Sequence, residues 1–257
     1  MRINHNITAI NNHRNMSLNN VAAGKSMEKL SSGLRINRAA DDAAGLAVSE
    51  KMRGQIRGLE QAQKNVQDGI SFVQTAEGAM NEVSAMLTRM KELNVQKKND
   101  TYSATDKANI DVELDALGEQ IDNILGDTKF NGISITSATD INIQSNDSTQ
   151  IIAIKGIDGT DITGLDSSKG LTDIEKAITN ASTERAKLGA VQNQLEYTSN
   201  NLGTTVENLS ASESRIRDTD MAKEMVELTK NNILLQASQA MLAQANSQPQ
   251  GVLTLLR

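Results

Sequence analysis

Apolar residues recur at heptad-like spacing along most of this chain, and this spacing most limits what the chain can fold into. One run extends from Ile56 to Met90 and another from Leu171 to Leu209, each advancing by threes, fours and sevens. Residues at this spacing share one helix face and pack against a second helix. The only proline, Pro249, interrupts neither run. The sequence therefore predicts a mainly α fold, a long antiparallel helical bundle or coiled coil.

The apolar stripe changes phase near each end of the chain. Met221 follows Ile216 after five residues instead of the expected four, and the one extra residue turns the apolar stripe about 100° around the helix. The other change lies within RINRAADDAAGLAVSEKMR, residues 35–53. We expect joints at about 34–46 and 210–220, and discontinuous domains formed by both chain ends. The predicted domains are a terminal coiled-coil inner domain, 1–44 plus 217–257, and a helical outer domain, 45–216.

Residues 129–157 differ from the rest of the chain because their apolar residues alternate with polar ones. Ile133 and Ile135 alternate in this way, as do Ile141 and Ile143, and Gly132 and Gly156 punctuate the segment. Alternation of β-branched residues bounded by glycines is typical of short strands. A β-hairpin region is therefore expected at about 129–157.

Composition excludes most kinds of chemistry. The chain has no cysteine, two histidines and a net charge of −6. Thiolate sites are excluded, a general nucleic-acid binder is not expected, and HExxH and phosphate-loop motifs are absent. No run approaches 18 apolar residues, and the N-terminal residues lack the apolar core of a secretory signal. We expect no enzyme activity, no catalytic or metal site, no cofactor and no membrane span, with any export occurring without a cleaved signal peptide.

Adjacent carboxylates at Asp41 and Asp42, close to arginines, could form a metal site, an acid/base pair or an ion-pair joint. If the chain ends run antiparallel, the two joints lie side by side. Small residues at 39–45 would then allow close backbone approach. Opposite charges would face each other across the joints: Arg35 and Arg38 against Asp218 or Asp220, and Asp41 or Asp42 against Arg215 or Arg217.

Two long blocks resemble bacterial flagellin, and the resemblance covers nearly the whole chain. They begin MRINHNITAINNHRN and LGAVQNQLEYTSNN, and they include RINRAADDAAGLAVSEKMR and SRIRDTDMAKE. The resemblance implies a minimal flagellin without variable outer domains, which polymerises into the extracellular flagellar filament for motility. It also implies type III export, an export chaperone, a filament cap and junction proteins. A hook–filament junction protein is the alternative.

Filament growth requires an interface that joins copies head-to-tail without closing into a ring. The paired terminal helices are expected to supply it, because their apolar residues would be buried between copies. The predicted subunit-interface residues are Ile3, Ile7, Ile10, Leu228, Leu235 and Leu242.

The segment LTRMKELNVQ, residues 87–96, resembles the part of flagellins that the vertebrate flagellin-sensing Toll-like receptor binds. The resemblance implies that the free chain is recognised by this receptor. An alternative role for the two leucines of this set is core packing or subunit contact. The matching receptor-binding residues are Leu87, Arg89, Leu93 and Gln96, with Glu113 on the next helix.

Overall fold

The computed structural model describes residues 6–137 and 139–255. Over these residues the chain forms long helices and two small antiparallel strand pairs, as the mainly α prediction requires. The helices are α1 (Ile7–Ser32), α2 (Ala43–Lys97), α3 (Ala104–Asp127), α4 (Leu171–Arg217) and α5 (Met221–Leu255). No helix in the described part of the chain is long and apolar enough to cross a membrane.

The chain divides into two compact units. Unit 1 combines the residues up to Gly54 with those from Leu209 onward, and unit 2 is Gln55–Asn208. A unit built from both chain ends confirms the predicted discontinuous organisation. The domain boundaries after residue 44 and before residue 217 stay a prediction. The compact units divide inside α2, after Gly54, and inside α4, before Leu209.

Unit 2 has an aliphatic core supplied by its three helices. Side chains at the predicted seam spacing are completely or almost completely buried along each helix. Burial of a single large aliphatic side chain contributes about 1.5–3 kcal/mol, so this core holds unit 2 together. Its fully enclosed residues include Val66, Val73, Met80, Leu87, Leu114, Ile121, Ile174, Ala181 and Leu195.

Two short hairpins lie in the predicted β region. Strand β1 (Lys129–Phe130) pairs with β2 (Ile133–Ser134), and β3 (Ile141–Gln144) pairs with β4 (Ile151–Ile154). Asn131 and Gly132 form the first turn with φ of 50° and 82°, which is the backbone that an Asn-Gly hairpin turn requires. The Phe130 ring meets Phe72 of α2 edge-to-face at 6.0 Å and anchors this hairpin.

Backbone N–H groups of the loop between β4 and α4 donate hydrogen bonds to carboxylate side chains of α3. Asp115 accepts a hydrogen bond from the Ser167 N–H at 2.7 Å, and Asp122 accepts one from the Gly164 N–H at 3.0 Å. A Cβ atom at Gly118 would lie 1.7 Å from the Leu165 carbonyl oxygen, so this close contact requires glycine.

Candidate subunit interface

Helices α1 and α5 of unit 1 pair antiparallel through amide side chains. Asn6 Nδ2 donates to the Ala245 carbonyl at 2.7 Å, Asn12 Nδ2 donates to the Met241 carbonyl at 3.4 Å, and Asn19 Nδ2 donates to Ser238 Oγ at 3.4 Å. We call these three asparagines the amide ladder. Because each donor meets one acceptor on α5, the ladder fixes the register of the pair.

Apolar side chains lie on the side of α1 that faces away from α5. Ile7, Ile10, Leu18 and Val21 are 56–62% exposed and share one face by their spacings of three and eight residues. We call these four residues the outer face of α1. On the α1 side, the contact with α5 includes polar and small residues, among them the amide ladder and the buried Ala23.

Helix α5 has a matching outer face, formed by Met225, Val226 and Ile233. These side chains are 52%, 67% and 60% exposed. With Thr229 and Lys230 they line a shallow, mainly apolar depression on the helix surface. An isolated helix pair that leaves large aliphatic side chains in water on both helices has surface that a further partner can bury.

The predicted interface residues fall into two groups. Ile7 and Ile10 belong to the outer face of α1, whereas Leu228, Leu235 and Leu242 are half-buried. These leucines alternate at three and four residues with Asn231, Ser238 and Ala245, so they share the face of α5 that meets α1. Ile3 lies outside the described residues. Burial between copies stays a prediction for the whole set.

The backbone ties the two joints of unit 1 together. The Arg35 N–H donates to the Arg217 carbonyl at 2.7 Å, and the Thr219 N–H donates to the Gly33 carbonyl at 3.0 Å. Leu34 and Asp218 form an antiparallel bridge. The guanidinium of Arg35 donates to the Ile216 carbonyl. The joints therefore meet through main-chain carbonyls and N–H groups.

The joint aspartates accept hydrogen bonds from nearby main-chain and hydroxyl groups. Asp41 accepts from the N–H groups of Asn37 at 3.2 Å and Arg38 at 3.0 Å. Asp42 accepts from the Gly45 N–H at 2.8 Å, at the start of α2. Asp220 accepts from the first turn of α5, and Asp218 accepts from the Ser214 hydroxyl at 2.6 Å. Helix N-termini offer unpaired N–H groups, which explains the carboxylates there.

Hydrogen bonding also sets the charge state of Asp41. The Arg38 N–H lowers the pKa of Asp41, with smaller contributions from the Asn37 N–H and from Lys25 and Lys29. A carboxylate that accepts N–H groups in this way favours its ionised form. Among the described residues, no group of three or more carboxylates and imidazoles could hold a metal ion.

The joint arginines have partners other than those predicted. Arg217 Nη1 lies 2.6 Å from Glu50 Oε1, and its hydrogen bond lowers the pKa of Glu50. Arg38 Nε lies 2.9 Å from Glu28 Oε1, and Arg215 donates to the Ser212 hydroxyl at 3.0 Å. Within the described single chain, the predicted pairs between the joints do not form, because the aspartates are engaged by nearby groups. Pairing between copies stays a prediction.

The predicted receptor residues of unit 2 divide by exposure. Leu87 and Leu93 are at most 1% exposed and belong to the core. Arg89 is exposed and lies 2.9 Å from Glu113 and 3.3 Å from Glu92, and the hydrogen bond to Glu113 is the main cause that raises its pKa. The exposed Gln96 donates to the Tyr102 hydroxyl at 3.1 Å. The surface of this segment therefore combines these polar groups with Val95, which is 54% exposed.

Sequence reasoning missed the amide ladder and the two glutamates. Asn12 and Asn19 are seven residues apart, so their spacing already placed them on one face of α1. Val226 and Ile233 are also seven apart, outside the leucine seam of α5. No sequence signal identified Glu28 and Glu50, because their pairing depends on how the joint folds.

Two family models match this chain. The bacterial flagellin N-terminal helical region matches residues 3–140, and the bacterial flagellin C-terminal helical region matches residues 171–256. The first contains α1, α2, α3, β1 and β2, and the second contains α4 and α5. Between them, residues 141–170, with β3, β4 and the following loop, are unmatched.

Full-length relatives agree with these matches. The chain is 52% identical to a flagellin of Bacillus subtilis over 304 aligned residues and 52% identical to one of Halalkalibacterium halodurans over 274, covering 100% of each chain. It is 44% identical to the flagellar filament 33 kDa core protein of Treponema phagedenis over 286 residues, again with 100% coverage of both.

A crystal structure of Bacillus cereus flagellin is 31% identical, covers 63% of this chain and 93% of that chain, and has a TM-score of 0.43. The family models together cover well over half of this chain, and the relatives cover it completely. The chain therefore belongs to the bacterial flagellin family.

Proposed function

We propose that this chain, a structural subunit of the bacterial flagellar filament, joins its neighbours through the outer faces of α1 and α5. The observation that carries the proposal is the chemistry of unit 1. Its internal helix contact combines the amide ladder and small residues of α1 with the half-buried leucines of α5, while a second set of large aliphatic side chains remains exposed on both helices. Such a helix pair gains most of its burial from other copies.

The energetics favour a polymer of many copies. Burying one exposed valine or isoleucine contributes about 1.5–3 kcal/mol before entropy losses. The outer faces of α1 and α5 differ in sequence, so a contact between unlike faces is heterologous. Heterologous contacts that do not close into a ring build helical filaments. The proposed location of the polymer is outside the cell, in the flagellar filament.

Polymerisation of an Ile233→Asn variant tests this proposal. An unpaired amide buried between copies costs a few kcal/mol, so the critical concentration for filament formation should rise about tenfold or more. Val112, on α3 of unit 2, is 69% exposed and outside the terminal helices. A Val112→Asn variant is the matched control and should polymerise as the parent chain does. Electron microscopy and sedimentation provide the readout, and filaments of Ile233→Asn at the parent concentration would refute the proposal.

Truncation provides a second test of the same interface. A chain lacking residues 236–257 loses the part of α5 that meets Asn6, Asn12 and Asn19. We expect it to remain soluble, with unit 2 folded, and to form no filaments. Filaments of the truncated chain would contradict a role for the terminal helices.

Partners other than copies of the chain stay predictions from the family resemblance. They are the type III export apparatus, an export chaperone at the C-terminal region, the filament cap and the junction proteins. Exposed aliphatic residues on α5 support a requirement for a covering partner before assembly, because apolar patches on unassembled chains promote aggregation.

Recognition of the free chain by the flagellin-sensing Toll-like receptor is a second proposal. The exposed Arg89–Glu113 pair supports it, with Gln96 beside it, whereas Leu87 and Leu93 act as core residues. Arg89→Asp should reduce signalling by the purified free chain. Lys91, paired with Glu175 at 3.0 Å, supplies the control Lys91→Asp, which should retain signalling. Equal signalling by both variants would remove the proposal.

A further inference from the structure

The methionines of the two units differ in solvent exposure. In unit 2, Met80 and Met90 are completely buried. In unit 1, four methionines of the terminal helices are 48–60% exposed. These exposed methionines are Met27 on α1 and Met221, Met225 and Met241 on α5.

Exposure determines which thioethers a peroxide can reach. The sulfur attacks one peroxide oxygen, the O–O bond breaks, and an S–O bond forms. Sulfur loses two electrons, and the peroxide is reduced to water. The product is a sulfoxide, which is polar, accepts hydrogen bonds and no longer suits an apolar contact.

We infer that the exposed methionines of the terminal helices, above all Met225 on the outer face of α5, make assembly sensitive to peroxide, an inference that rests on the proposed polymerisation through the outer faces. Met225 lies beside Val226 and Ile233 in the depression on α5. A sulfoxide at Met225 would be buried there against apolar side chains of another copy. Burial of a polar oxygen without a donor is unfavourable, so the oxidised chain assembles poorly.

The same geometry makes assembly protective. Once copies cover the outer faces, the sulfur atom of Met225 loses contact with dissolved peroxide. Free chains are then the vulnerable form, and filaments are the resistant form. Met80 and Met90 provide internal references, because the core of unit 2 shields them in both forms.

Hydrogen peroxide treatment of the full chain, followed by peptide mass spectrometry, tests the inference. In free chains, Met225 should oxidise about tenfold faster than Met80 and Met90, and filaments should reduce this difference. The critical concentration of the oxidised chain should rise about tenfold, and methionine sulfoxide reductase should restore it. Equal oxidation rates in free chains and filaments would overturn the inference.

Two variants separate the site from general damage. A chain with leucine at positions 27, 221, 225 and 241 should show the same critical concentration before and after peroxide, whatever its starting value. A Met80→Leu, Met90→Leu chain should respond to peroxide as the parent does. Peroxide sensitivity that persists in the first variant overturns the inference. Failure of the untreated parent chain to polymerise would instead refute the proposed function.

Discussion

The terminal helices of unit 1 and the core of unit 2 differ in how far they enclose their large aliphatic side chains. Unit 2 encloses Leu114 and Ile121 completely, whereas unit 1 leaves Ile10, Val226 and Ile233 about 60% exposed or more. Both regions show helical apolar spacing, so spacing alone does not tell a core from a surface. The difference agrees with the proposal that unit 2 has a complete core of its own, whereas the terminal helices of unit 1 bury their outer faces against other copies.

The largest expected effect is on the free energy of unfolding of unit 2, and it tests whether the core of this unit stabilises it. Leu114→Ala should lower its free energy of unfolding by about 2–5 kcal/mol, because Leu114 is fully buried and its removal leaves a cavity. Val112→Ala, two residues away and 69% exposed, should change it by less than about 0.5 kcal/mol. Urea unfolding followed by circular dichroism measures both. Equal effects would mean that this core does not stabilise unit 2.

A smaller effect tests whether the joint is the tightly packed part of unit 1. A Cβ atom at Gly45 would lie 2.4 Å from the Asp42 carboxylate and 2.9 Å from Ile36 Cδ1. Gly45→Ala should therefore force the Asp42 carboxylate away from the start of α2, and the weakened cap should destabilise unit 1 by about 1 kcal/mol or less. Gly24→Ala is the matched control, since nothing lies within 4 Å of its Cβ position. In the interior of α1 it should stabilise the helix by about 0.5–1 kcal/mol. Hydrogen exchange of the joint distinguishes the two, and unchanged exchange in Gly45→Ala would disprove tight packing.

The smallest expected effect is the loss of joint stability at low pH. Because hydrogen bonds lower the pKa of Asp41 in the folded chain, its contribution to stability is present above the unfolded pKa of about 3.9. That contribution is lost as pH falls through the folded pKa. Protection of segment 33–42 from hydrogen exchange, corrected for intrinsic rates, should fall with pH in the parent and fall less in Asp41→Asn. Identical pH profiles would argue against Asp41 as the source.

The fold could be read largely from apolar periodicity. Long helical runs, a β region and two phase changes follow from spacing, β-branched residues and glycines, which are local properties. The partners of charged side chains could not be read in this way. Asp42 and Asp220 lie at helix starts, and a capping role competes with cross-joint ion pairing at those positions. Which competitor wins depends on backbone geometry that spacing does not encode.

The candidate interface was only partly predictable for a related reason. Leucines at a strict 4-3 spacing on α5 suggested burial between copies, but they are half-buried on the face that meets α1. Val226 and Ile233 interrupt no motif and fall outside that seam, so their exposure becomes visible only with α1 in place. A helix with two apolar stripes can therefore pack one against its partner helix and leave the other exposed.

The amide ladder also fixes the axial position of α1 relative to α5 in each copy of the proposed polymer. Sliding α1 by one turn, about 5.4 Å, would leave the three asparagines opposite the wrong groups on α5. Aliphatic contacts alone tolerate such slippage, whereas directional hydrogen bonds do not. In a long polymer a small error in each subunit adds up over every repeat. In the proposed polymer, polar groups between α1 and α5 therefore give every copy the same helix register and so the same length.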